Sequence, residues 1–257
     1  MKNKVTSLGI GKNSYITGAY ATYVGQEIGK FYGWIYEGIA RTQDELDGHA
    51  TQQGANVGDC LYKDISGPNG EPDGVIDAYD QTVLGSGLPK VNFGLSTHME
   101  YKGFDLNIST YGVLNYHVSD DIYNSLNSCY GYGNKEVGML DANRWSEDGS
   151  TYLSSVPRTY AANNATLGWN DLFSSRKIQN AAYWKIANVE LGYNFPDKWF
   201  GGYVSGVRLY VSAQNLYTFT GYHGYNVDYA GGTFTPGYNF CSFPSARTFM
   251  CGLHFTF

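Results

Sequence analysis

The chain has 257 residues, 42% hydrophobic, 16% aromatic and 16% charged, with a formal net charge of -6. Its 17 Lys and Arg are too few for the broad basic face of a nucleic-acid binder, and no run of about 18 apolar residues marks a membrane-crossing helix. Abundant Gly (33) and Tyr (24) argue for strands and turns rather than helices, and the length suffices for a sizeable core.

From the N-terminus, residues 1–14 carry Lys but no apolar stretch of the kind a secretory leader needs. Two weak strand candidates follow, around Ile16 to Val24 and Lys30 to Ile39. Thr42-Gln-Asp-Glu45 has the spacing of a capping box and predicts a short helix through about Gln52. Next comes an acidic loop from Asp64 to Asp80. From Asn69 onward it approximates a calcium loop: Asn69, Glu71 and Asp73 at positions 1, 3 and 5, Gly74 at 6, the Val75 carbonyl at 7, Asp77 at 9 and Asp80 at 12. Asp64 substitutes if residues 67–72 bulge out. The same residues also suit a solvated turn, because Asp and Gly favour turn backbones.

Strict alternation begins at Val91. Val91, Phe93, Leu95, Thr97, Met99 and Tyr101 oppose Asn92, Gly94, Ser96, His98 and Glu100. Phe104 to Asn115 alternates likewise, with Leu106, Ile108 and Leu114 opposite Asp105, Asn107 and Ser109. Between residues 116 and 182 no strand pattern holds. Asp120-Asp121 reads as a polar surface pair, because adjacent side chains point apart in an extended chain. Tyr183 to Phe195 sets Ala187, Val189, Leu191, Tyr193 and Phe195 against Asn188, Glu190, Gly192 and Asn194. Val207 to Leu216 sets Val207, Leu209, Val211 and Ala213 against Arg208, Tyr210, Ser212 and Gln214. The chain closes on Phe249, Cys251, Leu253, Phe255 and Phe257, all on one face.

Strands of about 10–13 residues exceed the globular average of about 5–6 and match the 9–11 that cross a bilayer when tilted. Polar faces of Asn, Ser, Gln, Glu and Arg suit a wet lumen, and apolar faces with aromatic ends suit lipid and its interfaces. The expected fold is therefore all-β: an antiparallel meander of long transmembrane strands, forming part of an outer-membrane β-barrel. A soluble, Tyr-rich β-sandwich lectin is the alternative. Alternating strand directions put the long links, at about 40–90, 116–182 and 217–245, on one side of the membrane and the short ones on the other.

No catalytic set is visible: the five histidines are scattered, and no HExxH, GxSxG or P-loop occurs, so the chain is expected not to be an enzyme. Cys60, Cys129, Cys241 and Cys251 form no CxxC; Cys241 and Cys251 can meet across a hairpin or stay unpaired. The long loops are rich in aromatics. Tyr130, Tyr132, Trp145, Trp169, Tyr222 and Tyr225 are candidate contacts for a ligand or a covering partner, since aromatic faces stack on sugar rings and contact peptides; the same rings can instead pack the loops together.

Four stretches carry a family resemblance. They are Gly29-Lys-Phe-Tyr-Gly-Trp-Ile-Tyr-Glu-Gly38; Lys63-Asp64 with Asp73-Gly-Val-Ile-Asp77, Asp80 and Thr82-Val-Leu-Gly85; Tyr183-Trp-Lys-Ile-Ala-Asn-Val-Glu-Leu-Gly-Tyr193 with Leu209-Tyr-Val-Ser-Ala-Gln-Asn-Leu216; and Pro244-Ser-Ala-Arg247-Thr-Phe running to Phe257. In this order they resemble the C-terminal part of SusC/RagA-type TonB-dependent outer-membrane transporters of Bacteroidetes. Residues 67–72 depart from the family's acidic motif, which leaves the metal ligands open. Family members carry a plug domain, a TonB box and a barrel of about 22 strands, whereas six or seven strands are visible here. The resemblance thus implies a C-terminal barrel portion over residues 1–257, an incomplete barrel without the plug. It implies nutrient uptake of a glycan or peptide with a SusD-like surface lipoprotein as lid, TonB contact only through the missing plug, and a place in outer-membrane lipid. It also implies that the barrel-assembly machinery reads Phe249, Leu253, Phe255 and Phe257. No cofactor is required; structural Ca2+ in the acidic loop (Asp64, Asn69, Asp73, Val75, Asp77, Asp80) is the one ion expected.

Overall fold

A computed structural model describes residues 3–9, 11–129, 134, 136–137, 144–146, 155–159, 168–201, 204, 206–228, 231–240 and 242–256. Five long strands dominate: β7 (Val91–Tyr101), β8 (Phe104–Leu114), β11 (Tyr183–Phe195), β12 (Gly206–Thr220) and β14 (Thr248–Thr256). They form one antiparallel sheet, ordered β14-β12-β11-β8-β7, with every pairing between neighbours in this set. This is the sequential meander that the alternation predicts. The sequence pattern encodes it because a slip of one residue would turn every apolar side chain to the wrong face. A two-residue turn joins β7 to β8, with Lys102 at φ 49 and Gly103 at φ 87. A Cβ on Gly103 would stand 2.9 Å from the Asn194 carbonyl oxygen, so glycine fits both the conformation and the space.

One irregularity modifies the expected faces. The β11 register shifts between Ile186 and Asn188, opposite the extra β12 residues around Asn215, which sits at φ 52. This bulge places Trp184 and Ile186 on the apolar face and Tyr183 and Lys185 on the polar one. Trp184 then stacks on Phe219 at 5.3 Å. Leu95 (66% exposed), Phe249 (69%) and Leu253 (58%) exemplify how open the apolar face is.

The two upstream candidates are not long strands. Ile16 to Val24 is a hairpin of β1 (Ser14–Thr17) and β2 (Tyr20–Tyr23), turning at Gly18 with φ 53. Lys30 to Ile39 splits into β3 (Lys30–Gly33) and β4 (Tyr36–Ile39). β4 pairs with β5 (Cys60–Tyr62), and β3 lies between β2 and β6 (Thr82–Ser86). Trp34, between β3 and β4, bridges instead to Ser174. Among the described residues the five strong candidates are therefore the long strands, and the two weaker ones are short strands paired among themselves and with β5 and β6. The predicted helix exists as α1 (Gln43–Asp47): Thr42 Oγ1 accepts from Glu45 N, and Glu45 returns to Arg41 N, one residue before the cap.

Residues 14–86 pack at the end of the long sheet from which residues 115–182 and 221–247 emerge. There, β9 (His117–Asp120) joins β10 (Gln179–Asn180) and, in parallel, β13 (Tyr238–Asn239), and α2 (Asp121–Leu126) follows β9. Phe31 is fully buried between Tyr20 and Phe173. One core cluster combines Tyr116, Val118, Ala181, Tyr183, Tyr222 and Val227; another combines Cys60, Tyr62 and Ile76 under Trp34, Tyr36 and Trp169.

Candidate functional site

The polar face of the long sheet carries a charged network across three strands. Arg208 on β12 reaches Asp105 on β8 with Nε (3.0 Å) and Nη2 (2.5 Å), and Glu190 on β11 with Nη2 (2.7 Å). Asn194 adds a bond to Asp105 at 3.1 Å. A Cβ on Gly192 would run into both the Asp105 carboxylate and the Arg208 guanidinium, so this glycine is what lets the pair meet. Gly192→Ala is expected to cost about 1–3 kcal/mol through overpacking; a thermal melt of the receptor carrying this sheet checks it. Along β7, His98 bonds Asn107 (2.7 Å) and Glu100 (2.9 Å).

Toward the loop end, Lys185 is buried and pairs with Asp228 at 2.6 Å, and the Tyr111 hydroxyl donates to the same carboxylate. This pair fastens the link between β12 and β14 to the polar face. Beneath it, Tyr111, Tyr116, Tyr183, Val227 and Leu88 line a cleft of about 280 Å³. Asp228, Tyr111 and Tyr116 carry no signal in the sequence that would place them here. Lys185 has a signal, a cation within an apolar run, but its partner is 43 residues away.

The acidic loop does not gather its carboxylates. Asp80 is completely buried and accepts from Ile65 N (2.8 Å), Ser66 N (3.2 Å) and Asp77 N (2.8 Å). Asp77 caps the following turn through Tyr79 N, Asp64 accepts from Gly74 N (2.7 Å), and Asp73 accepts from Val75 N (3.1 Å). Asn69 is exposed in a turn away from these bonds. Among the described residues no group of three or more carboxylates, histidines or cysteines is placed to hold a metal. The predicted convergence of Asp64, Asn69, Asp73, Val75, Asp77 and Asp80 is not seen among the described residues: one oxygen each of Asp64, Asp73 and Asp77 and both of Asp80 accept from the loop's own N–H groups, and Asp64 Oδ1 is buried without a hydrogen-bond partner.

The aromatic contact candidates divide. Trp145 is buried against Gly58, whose φ of +91 and missing Cβ admit the indole. Trp169 packs on Tyr62 and donates from Nε1 to Gln53 O at 3.1 Å. Tyr222 is buried with its hydroxyl on Asp120, and burial followed by that bond pushes its phenol well above the ordinary range. These three rings hold the loops together and are not displayed for stacking. Tyr225 is exposed, 66%. Tyr130 and Tyr132 lie outside the described residues, as do Phe257 and Cys241. Phe249, Leu253 and Phe255 stand on the apolar face of β14. Asp120, expected at the surface, is instead buried: it caps α2 through Tyr123 N and accepts from Tyr222 and Asn239.

No family model matches the chain. It is 30% identical over 274 residues to TonB-dependent receptor P3 of Formosa agariphila, covering 100% of this chain and 26% of that protein. It is 26% identical over 209 residues to TonB-dependent receptor SusC of Bacteroides thetaiotaomicron, covering 77% of this chain and 19% of that one. Among solved structures it superposes on one of the RagAB peptide transporter with a TM-score of 0.75 at 21% identity, over 99% of this chain and 25% of that chain. The chain therefore spans about a quarter of the length of the relatives that it matches. Those relatives are named as receptors and not as enzymes, in line with the missing catalytic motifs. With its motifs, its relatives and its antiparallel β fold in agreement, the chain is a segment of a SusC/RagA-type TonB-dependent receptor.

Proposed function

We propose that the chain is a wall segment of an outer-membrane importer. The observation that carries this is the two-faced sheet: five strands of 9–15 residues with a continuous exposed apolar face and a charged, hydrogen-bonded opposite face. On this reading the apolar face meets lipid and the polar face lines the lumen. β7 and β14, each paired on one side only among the described residues, continue into the rest of the barrel. The whole of residues 1–257 is one barrel portion whose links at about 40–90, 116–182 and 217–245 face outward. There a SusD-like lipoprotein covers the mouth, and the cargo is a glycan or peptide. TonB acts through the plug, and the barrel-assembly machinery reads the β14 phenylalanines with Phe257.

Arginine on the lipid side tests the reading. Val211→Arg is expected to cost about 2–4 kcal/mol near the bilayer midplane and to lower the amount of full-length receptor recovered from outer membranes. Gln214→Arg, on the polar face of the same strand, is expected to leave it unchanged. Equal recovery for the two variants, or a receptor that is monodisperse without detergent, favours the lectin alternative.

Calcium in the acidic loop is tested separately. We expect the loop to hold without it, since Asp64, Asp73, Asp77 and Asp80 each accept from at least one backbone donor. Adding calcium at roughly 1 mM, enough for a weak external site, to the chelated receptor should leave protease cleavage between Asp59 and Gly87 unchanged. Protection by calcium would restore the metal arrangement.

A further inference from the structure

Arg176 lies in a short turn, Ser175–Lys177, held against β4: Ser175 N donates to Trp34 O (3.0 Å), and Tyr36 N donates to Ser175 Oγ (3.0 Å). The residue is half-buried. Among the described residues it has no carboxylate within 4.0 Å, whereas Lys90, Arg158, Lys177, Lys185 and Arg208 each face one. Its electrostatic neighbours are Cys60, Cys129, Tyr36 and Tyr62. None of them can neutralise it. Burial pushes the Cys60 thiol up to about 12 and raises Cys129, Tyr36 and Tyr62, so all four stay protonated and uncharged at neutral pH.

Two acidic groups nearby are already engaged. Asp171 accepts from Cys129 N and faces Lys177 at 3.7 Å, and Glu136 accepts from Asn127. A partly desolvated guanidinium with no carboxylate against it among the described residues is an unfavourable arrangement that an oxyanion relieves.

A place for that oxyanion exists. Arg176 and Lys177 line a cavity of about 320 Å³ with Tyr36, Tyr123, Asn124 and Val156. This is at the lower end of the range of small-ligand pockets, and the wall is mixed, two aromatic rings and Val156 beside Asn127, Ser155 and other polar groups. It lies among the links at the loop end.

We propose that this cavity, between α2, β4 and the Ser175–Lys177 turn, is a carboxylate-binding site anchored by Arg176. The guanidinium presents its fork to the two oxygens, beside Lys177, whose own charge faces Asp171. The proposal deepens the importer reading and rests on it for one point: the carboxylate belongs to a ligand arriving from outside. An acidic sugar or a peptide C-terminus offers the same group.

Phenylglyoxal, which modifies accessible arginine, tests this on the unaltered full-length receptor in detergent, with peptide mass spectrometry reading each site. Arg247, exposed and distant in sequence, is the control. Glucuronate is compared with glucose, and acetyl-Ala-Ala with its amide, each at about 20 mM. For a millimolar site, a carboxylate is expected to slow modification of Arg176 about fivefold or more while Arg247 and the neutral partners show no change. Protection by glucuronate alone names an acidic glycan as source, protection by the dipeptide alone names a peptide, and protection by both assigns recognition to the carboxylate itself. Equal protection by acid and neutral compound, no protection by either acid, or an Arg176 that stays unmodified while Arg247 reacts fully would overturn the site. The readout does not involve lipid insertion, so a failed wall assignment and a failed anion site remain distinguishable.

Discussion

Replacing Arg158 by alanine is expected to destabilise the loop end by about 3 kcal/mol or more, the range for a buried carboxylate left without its cation. Asp59 is 2% exposed, and Arg158 grips it with Nε at 2.6 Å and Nη2 at 3.0 Å. Asn170 and Asn56 N complete its shell, and Asn170 uses its other end to hold Cys60 N at 2.7 Å. The carboxylate therefore ties residues 56–60, 158 and 170 into one unit. Without the guanidinium it must stay charged with two neutral donors, take up a proton or draw in water. Faster exchange of the Cys60 and Arg158 amides, both hydrogen-bonded here, and earlier protease cleavage near residue 59 are the measurements. The double change Asp59→Asn with Arg158→Met is expected to recover much of the loss, because it removes both charges and keeps volume. If Arg158→Ala alone leaves exchange and cleavage unchanged, the pair is not what holds this region.

Asp80→Ala is expected to have a comparable local effect, on the order of 3 kcal/mol, since three backbone donors lose a charged acceptor and each such bond contributes about 1.5–3 kcal/mol before relaxation. The flanking strands β5 and β6 pair with β4 and β3 and not with each other, so the change should open residues 64–80 without unfolding the long sheet. Exchange of the Ile65, Ser66 and Asp77 amides should rise together. Asp80→Asn keeps an acceptor and should cost less. Independent behaviour of the three amides would contradict the single-acceptor account.

Which parts of this were legible from sequence follows from the range of the forces. β7, β8, β11, β12 and β14 are set by an alternating pattern that each strand carries within itself, and their order follows from short links. The bulge at Ala187 was hidden, because an alternation count slides past one extra residue; Asn215, in the left-handed region, is the only local trace. The loop end was opaque for another reason. Asp59 with Arg158, Phe31 with Phe173 and Asp120 with Tyr222 are partners about a hundred residues apart or more. No period marks them. The acidic loop is ambiguous for a further reason: Asp and Gly at those spacings satisfy a cation or a set of backbone N–H groups equally well. Arg176 carries no sequence signal, because the lack of a carboxylate against it among the described residues is a property of the fold.

The interlock at the loop end also bears on the time course of folding. Two of the sheet's four joints, β7–β8 and β11–β12, are closed by short links and a third, β12–β14, by the longer link 221–247, and all three span less chain than the fourth. The joint β8–β11 is closed across residues 115–182, and that span is itself pinned to Trp34, Asp59 and Cys60 far upstream. Two hairpin-like halves, β7–β8 and β11–β12–β14, can thus form early and wait for each other. Closing a long loop whose anchor lies in a third region raises the contact order of the central seam, so the middle of the sheet, and not its ends, is the last part to be joined.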